Sequence, residues 1–223
     1  MNEITIIGID QSTKVTGVAL IGFDAAGKPT RHASASFDAA RAHAAVRASL
    51  AVRYKEQTGQ RLPRENADRA RLNRLRLTRE WMAAWLRTNE AMSVDAVAYE
   101  EPNMRGAGAT GGIHQAIGAY LTLGFFTGME VVRVHATTVK AVIMGGGGWF
   151  RAAGSNGSAA EKGKMVHWAN DALALGGTPN DSGSQAEADA CGVAAGAWRN
   201  IQKAEAGTAP KAKRAARTPK EKV

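Results

Sequence analysis

A single domain of the α/β or α+β class, built on a mixed sheet, is predicted by three features of this 223-residue chain. The segment through Phe37 holds three short β-branched or alternating runs separated by polar turns, the pattern of an antiparallel meander. Beyond it, helical periodicity alternates with short buried runs, so later strands join the sheet through crossovers. An apolar fraction of 44% suffices for a core at this length and excludes disorder of the whole chain.

The elements follow in order. Ile4, Ile6, Ile7 and Ile9 form a first strand that ends at Asp10, and Val15 to Phe23 form a second after the turn Gln11-Ser12-Thr13-Lys14. A third strand over Thr30 to Phe37 completes the meander. Helices are predicted over Ala39 to Gln57 and Glu65 to Glu90. In the second, Leu72, Leu75, Met82, Trp85 and Leu86 recur mostly at steps of three and four while arginines fill other positions, which makes it amphipathic with a cationic face. Val94 to Glu100 reads as a buried strand. After a glycine-rich loop come a helix over Ile113 to Thr127, a strand over Glu130 to His135, and a short helix opened by Thr137 and closed by Gly145. The loop Gly146 to Ser158 leads to helices over Glu161 to Leu175 and Ser184 to Asn200. The domain is expected to occupy residues 1–203. Residues 204–223, with Lys211, Lys213, Arg214, Arg217, Lys220 and Lys222 among Ala, Thr and Pro, read as a disordered basic tail.

Charge and cysteine content narrow the function. Twenty-nine Lys and Arg against 20 Asp and Glu give a formal charge of +9, which calls for an anionic partner, and nucleic acid is the commoner one. The densest cationic run is Arg61 to Arg79. Cys191 is the single cysteine, so neither an internal disulfide nor a cysteine zinc site is possible, and a reducing, cytoplasmic location is expected. The start of the chain is not a signal peptide, and the uncharged stretch from Gly106 to Met129 is too polar to span a bilayer. No membrane partner is expected.

Chemistry is sought at strand ends, where open α/β sheets collect ligands. Asp10 closes the first strand, Glu100 closes the fourth, and Asp189 lies in the first turns of the last helix. Carboxylates from separate regions are costly to bury together unless a cation neutralises them. An all-oxygen set without cysteine suits Mg²⁺ or Mn²⁺, and two such ions about 3.5–4 Å apart can clamp the attacking and leaving oxygens of a phosphoryl transfer. Glu101 competes with Glu100, because neighbouring strand residues face opposite sides of the sheet. His114 and His135 are read as structural imidazoles.

The order of Ile6-Ile7-Gly8-Ile9-Asp10-Gln11-Ser12 with Thr16-Gly17-Val18-Ala19, then Val97-Ala98-Tyr99-Glu100-Glu101, Val139-Lys140-Ala141-Val142, Ala160-Glu161-Lys162 and Glu187-Ala188-Asp189-Ala190, resembles the RuvC-type Holliday-junction resolvases. The resemblance implies an RNase H-like fold with a five-stranded mixed sheet and a Mg²⁺-dependent endonuclease acting on Holliday junctions or other branched DNA. It implies that Asp10, Glu100 and Asp189 bind two divalent ions per subunit, that Lys140 and Lys162 lie near the scissile phosphate, and that the enzyme is a homodimer. Glu187 stands where a further acidic ligand is wanted, since position 186 is Ala. It also completes the helix-capping pattern Ser184-x-x-Glu187, and both roles stay open.

Departures from the family pattern are visible. The first motif continues Asp10-Gln11-Ser12 in place of Asp-Pro-Gly, and Asn103 and Met104 stand where some members carry an aromatic wedge. Trp149 and Phe150 either stack on an unpaired base or pack over a satellite core. Arg69, Arg71, Arg74, Arg76, Arg79 and Arg105 are expected to hold DNA backbone.

Two other classes compete. Gly8-Ile9-Asp10-Gln11-Ser12-Thr13 also resembles the first phosphate loop of sugar kinases and actin-like ATPases, which need a second lobe that this length does not supply. A catalytically inactive DNA-binding module of the same fold is the other. No nucleotide cofactor is expected: Gly106-x-Gly108-x-x-Gly111 starts well after its strand, and Gly163-Lys164 is followed by Met165, so no Walker loop is present.

Overall fold

Four polar contacts turn the first strands back on one another. Gln11 Nε2 donates to Thr16 Oγ1 at 3.2 Å and Thr16 Oγ1 donates to Ser12 O at 3.0 Å, which closes the first turn. The Asp24 carboxylate closes the second by accepting from the amides of Ala26 and Lys28, with Gly27 at φ 81°. The computed structural model describes residues 3–89, 94–101, 118, 129–135, 138–139 and 159–208.

Strands β1 (Ile4–Asp10), β2 (Val15–Phe23) and β3 (Pro29–Asp38) are followed by helices α1 (Ala39–Thr58) and α2 (Ala67–Thr88). After these come β4 (Ala96–Glu100), β5 (Glu130–Val134), α3 (Ala159–Leu173) and α4 (Ser182–Thr208). The five strands form one mixed sheet in the order β3-β2-β1-β4-β5. The first three pair antiparallel, while β4 runs parallel to β1 and β5 parallel to β4. The predicted class, strand number and mixed pairing are those observed.

Strand alternation sorts the core into two layers. Ile6, Ala19, Ile21, Phe23, Ala96 and Ala98 face α3 and α4, where they meet Met165, Val166, Ala188, Cys191, Val193 and Ala194. Ile7, Ile9, Val18, Leu20 and Val97 face the other way, onto Met82 of α2 with Trp81, Trp85 and Leu86 around it. Each fully buried Ile, Leu or Val contributes about 1.5–3 kcal/mol.

Four features of the helices go beyond what residue pattern alone shows. Leu72 is 48% exposed, since α2 buries the stripe of Leu75, Thr78 and Met82 and Leu72 falls to its side. Only Ala39 of α1 is buried. Helix α3 stops at Leu173, because Ala174 at φ 53° and Gly176 at φ 69° take left-handed backbone. Helix α4 passes the expected domain boundary at 203 and runs through Thr208, as its Ala and Glu residues favour. The predicted helices over 113–127 and 137–145 lie outside the described residues except at Gly118, Thr138 and Val139, which are helical. Residues 209–223 also lie outside them. Among the described residues, no helix is long and apolar enough to cross a membrane.

The predicted capping box at Ser184 is replaced by a cap three residues earlier. Asp181 Oδ2 accepts from the Ser184 amide at 2.7 Å and from the Ser184 hydroxyl at 3.0 Å, so Ser184 serves as a donor inside the first turn. These two bonds hold the Asp181 carboxyl below the usual carboxylate range. A depressed folded-state value adds stability that is present above the unfolded-state value and is lost as pH falls through the folded one. Asp181→Ala is expected to cost about 1 kcal/mol in urea unfolding at neutral pH. The difference from wild type should shrink as the carboxylate range is crossed downward; a cost independent of pH would contradict this cap.

Candidate active site at the strand ends

Two parallel strands bring the first pair of acids together. The β1–β4 register pairs Ile7 with Val97, Gly8 with Ala98 and Ile9 with Tyr99. One step further, Asp10 falls beside Glu100 at the carboxyl ends of both strands. Period-two alternation puts Asp10 on the face of Gly8, and Glu100 on the face of Ala98. That face is covered by α4: Ala98 belongs to the core α4 completes, and a side chain at Gly8 would run into Ala190 O and Ala194 N. Both carboxylates are half-buried and on one side of the sheet.

Helix α4 crosses this end of the sheet at close range. Gly17, the β2 partner of Asp10, lies directly beneath the backbone of Ala186, with no room for a Cβ. Along α4, residues 187 and 189 are about 200° apart around the axis, so their side chains leave opposite flanks. Glu187 is turned toward β3: Ser34 Oγ donates to its Oε2 at 2.9 Å and Ser36 Oγ to its Oε1 at 3.0 Å. Asp189, half-buried, leaves the other flank, the one toward β1 and β4.

The serine pair was not singled out from the sequence. Its signal is the alternation His32-Ala33-Ser34-Ala35-Ser36, which puts two hydroxyls on one face of an otherwise unremarkable strand. Gly8 and Gly17 carry a similar signal, because a glycine inside a strand marks a close backbone approach.

Cys191 lies just past the acids on α4 and is buried. Burial pushes its thiol far up, and the charges of Glu187 and Asp189 push it further the same way. The native protein is therefore expected to be inert to a thiol-specific disulfide reagent at neutral pH and to react only on unfolding. Rapid labelling of the folded protein would contradict the burial.

The remaining candidates separate. Glu101 is exposed beyond the end of β4 and pairs with the exposed His135 Nδ1 at 3.0 Å. On α2, Arg71 and Arg74 are half-buried and Arg69, Arg76 and Arg79 exposed. The predicted single cationic face is thus divided. Arg69 and Arg76 line a groove against α1, whereas Arg71 precedes Leu75 by one turn. Leu75 lies near the turn after β1, where a Cβ at Gly118 would fall 2.7 Å from Leu75 Cδ2 and 2.8 Å from Gln11 Cδ. Arg71 is also paired with Asp68 at 3.0 Å. Lys162 stands in the first turn of α3, with its side chain outside the described set. Arg105, Lys140, Asn103, Met104, His114, Trp149 and Phe150 lie outside the described residues.

The carboxylates suit a hard divalent cation by donor type and by position at strand ends. Among the described residues, however, no group of three or more His, Cys, Asp and Glu side chains is gathered closely enough to hold an ion.

A five-stranded mixed sheet in this order, with helices on both faces and acids at the ends of β1 and β4, defines an α/β protein of the RNase H-like fold. The solved structures that share it include two of Thermus thermophilus RuvC. One, in complex with Holliday junction substrate, is 15% identical, with 90% of this chain and 96% of that chain covered and a TM-score of 0.50. The other is 16% identical, with 90% and 97% covered and a TM-score of 0.50. An Aquifex aeolicus member of the Ppx/GppA family is 11% identical over 64% of this chain and 38% of that one, with a TM-score of 0.33. No family model and no curated protein matches the chain.

Proposed function

We propose that this protein is a divalent-metal-dependent endonuclease that cuts branched DNA, with Holliday junctions as the substrate class. The single observation that carries the proposal is the placement of Asp10 and Glu100 on adjacent parallel strand ends, on the face that α4 covers with Asp189. The RuvC fold and the net charge of +9 support it.

Asp10, Glu100 and Asp189 would hold Mg²⁺, or Mn²⁺ in its place. Two ions bound there supply activation of water and neutralisation of charge on the phosphate. The rest is done by the chain. Arg71, Arg74 and Arg79, with Arg105, draw phosphates to the catalytic end and position them without reading bases. Lys140 and Lys162 are assigned to charge building on the phosphate oxygens. Glu187 is assigned to docking α4 on β3, since both its oxygens are taken by serines, and it thereby sets the position of Asp189. A homodimer would present two such sites to a two-fold junction.

Labelled four-way, three-way and linear duplex DNA incubated with the protein in Mg²⁺ and in Mn²⁺ tests the proposal. Paired symmetric nicks confined to the four-way substrate are expected. Equal cutting of every branched substrate would widen the substrate class, and binding without cutting in either ion would leave a DNA-binding module. Affinity should fall steeply between low and moderate salt, since the contacts are to phosphates. The roles of the two acids on α4 also separate. Asp189→Asn is expected to lower cleavage by about a hundredfold or more. Glu187→Gln, whose amide can still accept from one serine and donate to the other, should stay within roughly threefold. Equal losses would place Glu187 among the ligands.

A further inference from the structure

The groove between α1 and α2 joins an apolar floor to a cationic rim. It encloses about 330 Å³ beside the residues that link the two helices. Its floor is apolar, made by Val46, Leu50, Leu62, Pro63 and Leu77. Val46 and Leu50 are 43% and 45% exposed, and nothing in the described residues covers them. Its rim is cationic, with Arg47, Arg64, Arg69 and Arg76. Arg76 also pairs with Glu80 at 3.7 Å on the surface of α2, and the one carboxylate in the lining, Glu65, does not cancel the other charges. It is taken up by His43 Nε2 at 3.0 Å and by Asn73 Nδ2 at 2.6 Å.

The groove is also braced. Arg47 donates to Pro63 O at 2.8 Å and the His43–Glu65 pair ties α1 to the chain that returns along it, so the walls are held without an occupant. An exposed apolar floor inside a cationic rim asks for a partner with both kinds of group. A phosphate backbone would satisfy the arginines and leave the leucines wet. A second copy of the chain, docked about a two-fold axis, would set this patch against itself and bring its arginines against their equivalents. Residues 39–88, which make both walls, hold twelve Lys and Arg against four acids, Glu56, Glu65, Asp68 and Glu80, so the neighbouring surface offers such a copy little compensation.

We propose that the α1–α2 groove docks an acidic amphipathic peptide segment of a partner protein. Its aliphatic or aromatic side chains sit on Val46, Leu50, Leu62 and Leu77, and its carboxylates pair with the arginines of the rim. The surface is separate from the strand-end acids and stands whether or not the protein cuts DNA.

The test is fluorescence anisotropy with the full chain and a short labelled peptide of Asp, Glu, Leu and Phe, against the same peptide with Ser for Leu and Phe. Saturable binding is expected for the first and at least about tenfold weaker binding for the second. Leu50→Glu, and independently Val46→Glu and Arg64→Glu, should each weaken the first by roughly tenfold or more, with unchanged circular dichroism and unchanged affinity for four-way DNA. These positions are exposed, so the variants are expected to fold. Equal binding of the two peptides, or peptide binding that survives all three substitutions, would overturn the proposal. So would a tenfold loss of DNA affinity in Leu50→Glu, which would make the groove a nucleic-acid surface. A wild-type dimer in sedimentation that Leu50→Glu turns into a monomer would assign the groove to a second copy and overturn it equally.

Discussion

Asp10→Asn is expected to lower the rate of junction cleavage by about a thousandfold or more while leaving affinity for four-way DNA within a few-fold. Asn has the shape of Asp and differs in charge, so the end of β1 and its pairing with Gly17 should survive the change. What is lost is an anionic donor at the position nearest Glu100. Charge stabilisation by bound metal is worth several kcal/mol, and each 1.36 kcal/mol is tenfold in rate, which sets the magnitude. Under the proposed function DNA is held by Arg71, Arg74, Arg79 and Arg105, not by a carboxylate that repels phosphate, so binding should hold or rise slightly. Calorimetric titration with Mn²⁺ supplies a readout apart from activity: the variant should bind it more weakly than wild type. Cleavage within tenfold of wild type, with the fold intact, would remove Asp10 from the chemistry and the proposed function with it.

The largest stability effect is expected at Gly8. Gly8→Ala should cost about 3 kcal/mol or more in urea unfolding, and Gly8→Val still more. A Cβ there meets Ala190 O, Ala194 N at 2.7 Å and Ala194 Cβ at 3.0 Å. Two of these atoms are helix backbone, which cannot rotate away as a flexible side chain would. Relief requires α4 to lift from the sheet, opening the layer that buries Cys191, Val193 and Ala194. Gly17 is held in the same way beneath Ala186. Gly59 provides the contrast: at the end of α1 it has φ 68° and nothing within 4 Å of an added Cβ. Gly59→Ala should therefore cost only the left-handed backbone term, roughly 1–2 kcal/mol. Because α4 carries Asp189, Gly8→Ala should also reduce cleavage at temperatures where the protein stays folded. Equal costs at Gly8 and Gly59 would show that the helix does not press on the sheet.

Local chemistry wrote the strands plainly. The isoleucines of β1 alternate around Gly8, Asp24 and Gly27 close the next turn, and the bounds of β1 and β2 agree with those read from residue pattern. Helix ends were less legible. The stop of α3 depends on Ala174 taking left-handed backbone, and the start of α4 on Asp181 outcompeting Ser184 as a cap. Periodicity misplaced Leu72 because three- and four-residue steps allow a broad stripe, and only tertiary packing, which sets Met82 against Ile7, Ile9 and Val97, leaves Leu75, Thr78 and Met82 as its buried members.

The site divides along the same line. From residue types and order alone came the sheet with its mixed pairing and the positions of Asp10 and Glu100 at strand ends and of Asp189 in the first turns of the last helix. Those properties follow from side-chain period, charge and hydrophobicity, which are local. Only the tertiary structure shows that Glu100 shares with Asp10 the face that α4 covers while Glu101 pairs with His135, that Glu187 is held by Ser34 and Ser36, and that Arg69 and Arg76 of α2 line the groove against α1. Each depends on which way a side chain faces once a distant strand or helix packs against it. Strand register and helix rotation are set by the whole core, not by any one segment.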